Sequence, residues 1–252
     1  MMKDANNPVG TTEKSLNLID RLRELDGARI HELESDVDMT KGAIHNHLTT
    51  LQKHGYVKKE KHEYRLSFKF LTIGGEAIID CPLYQFGRSK VNQLADGTGM
   101  LSNLGVEENG ECVYLYQSRG EYAVNLDTRI GSRLPLHNIA LGKAILAHLP
   151  RHYVDEIIDR KGLPEATENT ITNKTDLYQE LEKIKSQGYA VDDEERTEGL
   201  CCVAAPVRPE NEILGAVSIS ASSSRFENNE LKDEIINEVK STAHEISLEI
   251  LY

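Results

Sequence analysis

Seven basic side chains and two acidic ones fall between residues 39 and 69: Lys41, Lys53, Lys58, Lys59, Lys61, Arg65 and Lys69 against Glu60 and Glu63. His45, His47, His54 and His62 lie in the same stretch. That density of cations on a short segment suits the phosphates of a nucleic acid. Asn46 adds a side chain that can pair with an adenine edge, and Lys41 one that can reach guanine or phosphate. Far along the chain, Ser218 and Ser220 alternate with Ile219. On a strand that spacing turns both hydroxyls to one face, where they can hydrogen-bond a carboxylate or hydroxyl group.

The basic residues act together only if the chain holds them on one face. Over 12–25, Leu16, Ile19, Leu22 and Leu25 recur every three residues with Leu18 beside them. The spacing predicts a helix capped by Thr11 or Thr12 and stopped by Asp26-Gly27. A short helix over 30–35 then buries Ile30 and Leu33, and Val37-Asp38-Met39 makes a turn. A third helix over 40–54 puts Ile44, Leu48 and Leu51 on one buried face and ends at Gly55. Thr40, Lys41, Gly42, His45, Asn46 and Thr49 lie away from that face. Two short strands, 56–59 and 63–66, carry Lys58, Lys59, Lys61 and His62 on or beside a tight turn. This is the order of a winged helix-turn-helix, whose third helix enters the major groove while the wing reaches phosphates or the minor groove. Double-stranded DNA is the expected partner of these ten residues, read as a pseudo-palindromic operator by a homodimer.

The net charge of −12 runs against DNA binding until it is divided along the chain. Residues 1–80 carry 12 basic and 13 acidic side chains; residues 81–252 carry 17 and 28. The acidity belongs to the second part, where it keeps a protein soluble and repels non-specific nucleic acid. Hydrophobic residues at 39% are enough for a core. There is no run of about 18 apolar residues to span a membrane, and the first eight residues hold no apolar run typical of a secretory signal. The expectation is a cytoplasmic protein with no membrane partner, divided into a DNA-binding domain over 1–66, a linker helix over 67–82 and a third region over 83–252. In the linker, Phe68, Leu71 and Ile78 form a stripe suited to a partner helix, and Gly74-Gly75 weakens the helix.

Beyond 82 the pattern is mixed. Helices are predicted over 83–96, 138–148, 151–160, 175–187 and 228–251, and strands near 100–107, 111–118, 121–130, 189–192, 202–208 and 214–221. Antiparallel strands with flanking helices give an α+β sensor-like domain. The stretch 136–139 leads into a helix whose N-terminal N–H groups favour an anion.

Other chemistries compete. Gly142-Lys143-Ala144 has the look of a phosphate loop but lacks its earlier glycine and the Ser/Thr for magnesium. No GxSxG, HExxH or GxGxxG run appears, so the chain is not expected to be an enzyme and no cofactor or metal is expected. A Cys202–His137 nucleophile pair stays open. So does a metal or thiol-redox sensor built on Cys201, Cys202, His137 and His148, although adjacent cysteines on a strand point to opposite faces. A third alternative is a domain that only dimerises. None of the four cysteines forms a CxxC pair, and Cys81 and Cys112 are expected to be buried free thiols.

The chain resembles the IclR family of transcriptional regulators. The likeness is carried by 40–48 (Thr-Lys-Gly-Ala-Ile-His-Asn-His-Leu) and 51–57 in the first part. It continues through 134–147, through 188–195 (Gly-Tyr-Ala-Val-Asp-Asp-Glu-Glu), and through 199–207 and 215–220. It implies a winged helix-turn-helix joined to a GAF-like α/β effector-binding domain with an antiparallel sheet, a homodimer or a dimer of dimers (homotetramer), and control of carbon-source catabolism genes by a small organic or sugar acid. It also implies an effector pocket lined by Ala140, Leu141, Asp192, Cys202, Ser218 and Ser220. Gly42 and Asn46 depart from the Ser and Arg frequent at those places in the family, which bears on the operator sequence.

Overall fold

A computed structural model of the chain describes residues 7–226 and 229–252. Residues 1–6, and Asn228 at the expected start of the last helix, lie outside the described residues. The chain forms two compact units, Met1–Ile79 and Asp80–Tyr252.

The first unit begins with α1 (Gly10–Glu24), α2 (Ile30–Glu34) and α3 (Lys41–Lys53), followed by β1 (Val57–Glu60) and β2 (Glu63–Leu66). Its core is Leu18, Leu22, Ala28, Leu33, Ile44, Leu48, Val57 and Tyr64. The inward face of α1 is therefore Leu18 and Leu22, four residues apart, rather than the expected three-residue stripe. Leu16 and Leu25 of that stripe are exposed, because a spacing of three drifts around a helix of 3.6 residues per turn. Thr11 and Thr12 lie inside α1; its N-cap is Val9 and no side chain caps it. Thr40 does cap α3, its hydroxyl accepting the Ala43 N–H at 3.3 Å. β1 and β2 pair from Val57↔Leu66 to Glu60↔Glu63, leaving Lys61-His62 as a two-residue turn with Lys61 at φ 57°. The expected linker helix is α4 (Lys69–Ile79), unbroken across Gly74-Gly75, and none of its residues is buried. Phe68, just before it, and Leu71 are largely exposed.

The second unit is a six-stranded antiparallel sheet between two helical layers. Its elements are α5 (Pro82–Thr98), β3 (Leu101–Glu108), β4 (Glu111–Arg119), β5 (Arg133–Pro135), α6 (Ala140–Leu146), α7 (Arg151–Lys161), α8 (Lys174–Gln187), β6 (Ala190–Asp193), β7 (Leu200–Val207), β8 (Gly215–Ser222) and α9 (Asn229–Leu251). The strand order is β5-β4-β3-β8-β7-β6. α5 and α9 pack together on one side of the sheet, while α6, with α8 behind it, meets β7, β8 and β3 on the other. No strand forms over 121–130; those residues are irregular, and the strand that follows them and pairs with the outer side of β4 is Arg133–Pro135. Alternate residues of the expected strand serve burial instead. Val124 and Leu126 turn toward the core while Tyr122 and Ile130 remain exposed. Cys112, Cys201 and Cys202 are buried and Cys81 is half-buried; all are free thiols. Among the described residues no helix is long and apolar enough to cross a membrane.

Candidate functional site

Two surfaces carry the residues singled out by sequence. On the first unit, burial of Ile44 and Leu48 turns the opposite side of α3 to solvent. Thr40, Lys41, Gly42, His45 and Asn46 are all exposed there. A Cβ on Gly42 would meet nothing within 4 Å, so the helix surface is open at that point. Thr49 is half-buried, and its hydroxyl donates back to His45 O at 2.9 Å and Asn46 O at 3.0 Å. Its hydroxyl hydrogen is therefore engaged within α3 rather than free. On the wing, Lys58, Lys59, Lys61 and His62 are exposed. Lys58 is paired with Glu60 at 2.7 Å, which holds the Glu60 carboxyl below its usual range. Lys59 lies over the ring of the buried Tyr64, 5.0 Å from its centroid. His47, whose role the sequence left open, meets Ser15 of α1 at 2.7 Å and so helps set α3 against α1.

In the second unit, one small cavity is lined by Ala140, Leu141, Asp192, Cys202, Ser218 and Ser220, together with Tyr114, Leu126, Ile139, Arg196 and Leu200. Three adjacent strands and one helix bring the six together. Asp192 is opposite Cys202 across β6–β7, and Cys202 is opposite Ser220 across β7–β8. α6 adds Ala140 and Leu141 from above. It sits close because Gly142 has no side chain: a Cβ there would stand 2.2 Å from Leu136 O. The Gly-Lys-Ala run is thus a packing motif. Lys143, 1% exposed, is paired with Glu195 and lies 4.0 Å from Glu180.

The polar groups of the cavity are arranged by residues the sequence reading passed over. Asn103 Nδ2 donates to Ser218 Oγ and to Ser220 Oγ, each at 3.2 Å. Asn103 Oδ1 in turn accepts from Gln117 at 3.0 Å. Cys202 Sγ donates to Ser220 Oγ at 3.2 Å. Both serine oxygens are occupied as acceptors, so their hydrogens remain to be donated to an oxygen in the cavity. Asp192 Oδ1 accepts from the backbone N–H of Glu195 at 2.8 Å, and Oδ2 is buried without a protein partner. Burial, reinforced by the nearby charge of Glu195, pushes the Asp192 carboxyl up to about 7. The polar pair Ser102-Asn103 within the otherwise apolar stretch 100–106 was the available sign of Asn103. Arg196 was masked by the four acidic residues before it, Asp192 to Glu195.

The pattern described as the IclR helix-turn-helix domain matches residues 11–61. The pattern described as the C-terminal region of the bacterial transcriptional regulator IclR matches residues 76–248. The chain belongs to the IclR family. It is 31% identical over 241 residues to the probable HTH-type transcriptional regulator ArcR of Halobacterium salinarum, covering 94% of this chain and 92% of that protein. It is 30% identical over 247 residues to the HTH-type transcriptional regulator KdgR of Escherichia coli, covering 97% and 94%. The crystal structure of the Thermotoga maritima IclR superposes with a TM-score of 0.81 at 28% identity, covering 96% of this chain and 99% of that one.

IclR-family proteins are DNA-binding transcriptional regulators, not enzymes, and the second unit has the fold of their effector-binding domain. The cysteines fit that assignment better than a redox centre. Burial pushes the Cys201 thiol up to about 12 and the Cys202 thiol further above its usual value, so neither is poised as a thiolate. Their side chains also leave β7 on opposite sides, with only Cys202 lining the cavity. His137 Nε2 donates to Pro164 O at 3.1 Å, and His137 does not line the cavity with Cys202.

Proposed function

We propose that this IclR-family regulator binds a pseudo-palindromic operator as a homodimer, or as a dimer of dimers, and that a small hydroxylated organic or sugar acid controls that binding. The α3 face supplies base contacts through Lys41, His45 and Asn46, with Thr40, Gly42 and Thr49 as close-approach positions. Lys58, Lys59, Lys61 and His62 of the wing supply phosphate contacts. The effector sits among Ala140, Leu141, Asp192, Cys202, Ser218 and Ser220. The observation that carries this reading is that these six residues, from four separate elements, line one cavity. Its floor presents two hydroxyl hydrogens, and its wall an unpartnered carboxyl oxygen. A ligand with oxygen acceptors at one end and a hydroxyl donor toward Asp192 fills those needs. Control of carbon-source catabolism genes is the corresponding physiological role.

A thermal-shift screen of the full chain against small organic and sugar acids tests the reading. At least one acid is expected to stabilise the second unit, and Ser220→Leu, which fills the cavity and removes a hydroxyl, is expected to lose that shift. No stabilisation by any acid, or an undiminished shift in Ser220→Leu, contradicts it.

A further inference from the structure

The cavity has free space of only about 10 Å³, room for about one water molecule. An organic acid enters only if part of the lining gives way. β6, β7, β8 and α6 are built into the core. Tyr114 stands on β4 and Arg196 on the short turn between β6 and β7, which leaves Leu126 of the irregular segment 120–132 as the movable part of the wall. The ends of that segment are fastened by backbone: Tyr122 N–H donates to Gly99 O at 2.6 Å, and Gly131 N–H to Tyr114 O at 2.8 Å. Between them Arg119 donates to Val124 O at 3.0 Å, Gln117 to Thr128 Oγ1 at 2.9 Å, and Arg196 to Asp127 Oδ1 at 2.6 Å. Each of these three bonds depends on a side chain, and Leu126 alone of the segment reaches the cavity.

Arg196 is the unusual member of this set. Its side chain is 14% exposed and lines the cavity, yet its carboxylate partner among the described residues, Asp127, is 78% exposed on the segment 120–132. Burial pushes the Tyr114 hydroxyl and the Cys202 thiol of the cavity well above their usual values, and the Arg196 charge acts against that rise in both. A pair with one wet partner is weak, since water screens it. The same guanidinium facing a carboxylate inside a closed cavity makes a stronger, charge-assisted contact.

We propose that Arg196 is the group that recognises the acid function of the effector, and that Asp127 occupies it until the effector arrives. The proposal rests on the reading of this cavity as the effector site. It names the ligand class more closely: a hydroxy acid, with its carboxylate on Arg196 and its oxygens and hydroxyls toward Ser218, Ser220 and Asp192. Exchange of Asp127 for the ligand carboxylate frees the middle of 120–132 and moves Leu126 out of the cavity. Charge is conserved in the exchange at Arg196, so the cation is never left without a partner.

The test is calorimetric binding to the full chain of glycerate, gluconate and lactate, each paired with its uncharged primary amide. The parent is expected to prefer at least one acid over its amide by about 10-fold to 100-fold, the range of a charge-assisted contact. Arg196→Gln is expected to erase that preference while Arg196→Lys retains part of it. Asp127→Asn, which removes the resting partner, is expected to bind the acid more tightly than the parent. It is also expected to speed hydrogen exchange within 123–130 without ligand. If acid and amide bind equally in the parent but Ser220→Leu abolishes both, the cavity is the effector site and the role of Arg196 is overturned. An unchanged acid preference in Arg196→Gln overturns it equally. If no compound binds, or Ser220→Leu binds as the parent does, the effector site itself is misplaced and the proposal falls with it.

Discussion

The Oδ1 atom of Asp192 accepts the backbone N–H of Glu195 at 2.8 Å, so the strand carrying one and the turn carrying the other are fixed together. The bond leaves Oδ2 of Asp192 buried and unpartnered beside the cavity. The cost of that burial gives the second unit a pH dependence whose sign follows from linkage. Burial pushes the Asp192 carboxyl up to about 7 in the fold, from about 4 when unfolded. Below both values each state holds the proton and nothing is lost. Between them the folded state holds a proton that the unfolded state has released, so stability falls as pH rises and levels off above about 7. Asp192→Asn keeps an oxygen for the Glu195 N–H and removes the titration. Relative to the parent, it is expected to gain stability between about pH 5 and pH 8, by up to about 3 kcal/mol. Urea unfolding of the second unit at both pH values measures it; a pH-independent difference between the two proteins refutes it.

Lys143 and Glu195 form a buried pair that ties α6 to the turn after β6. Burial pushes the Glu195 carboxyl up against the pull of Lys143, and its Oε2 has no partner. Lys143→Met leaves that acid uncompensated and is expected to destabilise the second unit by about 3–5 kcal/mol. The double variant Lys143→Met with Glu195→Leu should recover most of the loss, as apolar replacement of buried pairs commonly does. A loss in the single variant that the double fails to reduce would show that the pair acts by packing alone.

Gly142 is fixed by contact, not by backbone conformation. Gly142→Ala would set a Cβ 2.2 Å from Leu136 O, a backbone atom that cannot swing aside. The chain at 136–139 or α6 must shift, at a cost of about 1–3 kcal/mol for overpacking. Because Ile139, Ala140 and Leu141 line the cavity, effector affinity should fall in the same variant. Calorimetry and thermal unfolding measured together check this; unchanged values in both would mean that the close approach does not matter.

In the proposed reading, base contacts fall to α3 and phosphate contacts to the wing. Asn46→Ala or His45→Ala is expected to cost about 1–3 kcal/mol on the operator and to relax discrimination between sequences. Lys59→Ala is expected to weaken all sequences alike and to flatten the salt dependence by about one unit. Titrations of specific and scrambled duplexes at several salt concentrations distinguish the two, and intact discrimination in Asn46→Ala would move the reading face elsewhere.

Much of this was legible from residue type and spacing, because the relevant signals are local. The periodicity of Ile44 and Leu48 sets the outward face of α3, and the Ser218–Ile219–Ser220 alternation sets two hydroxyls on one side of β8. The helix-turn-helix order and most strands of the second unit follow from the same kinds of pattern. What escaped depends on contacts between distant residues. The α1 stripe was assigned by a three-residue repeat, although the core selected Leu18 and Leu22. The sequence of 121–130 is equally compatible with a strand and with a strap that dips Val124 and Leu126 into the core. Only the tertiary setting decides between them. Asn103 joins Ser218 and Ser220 across 115 and 117 residues of sequence, and Arg196 meets Asp127 across 69; neither pairing leaves a local trace.

The proposed function is control of DNA binding by an acid held in the second unit. A ligand achieves that only by favouring one of two conformations, and a coupling of about 1–3 kcal/mol corresponds to a change of roughly 5-fold to 150-fold in operator affinity. The direct measurement is fluorescence anisotropy of a labelled operator duplex titrated with the full chain, with and without the acid that stabilises it most. The parent should show a shift within that range, and Ser220→Leu should show none at the same acid concentration. Equal operator affinity for the parent with and without a bound acid, or an undiminished response in Ser220→Leu, would contradict the account.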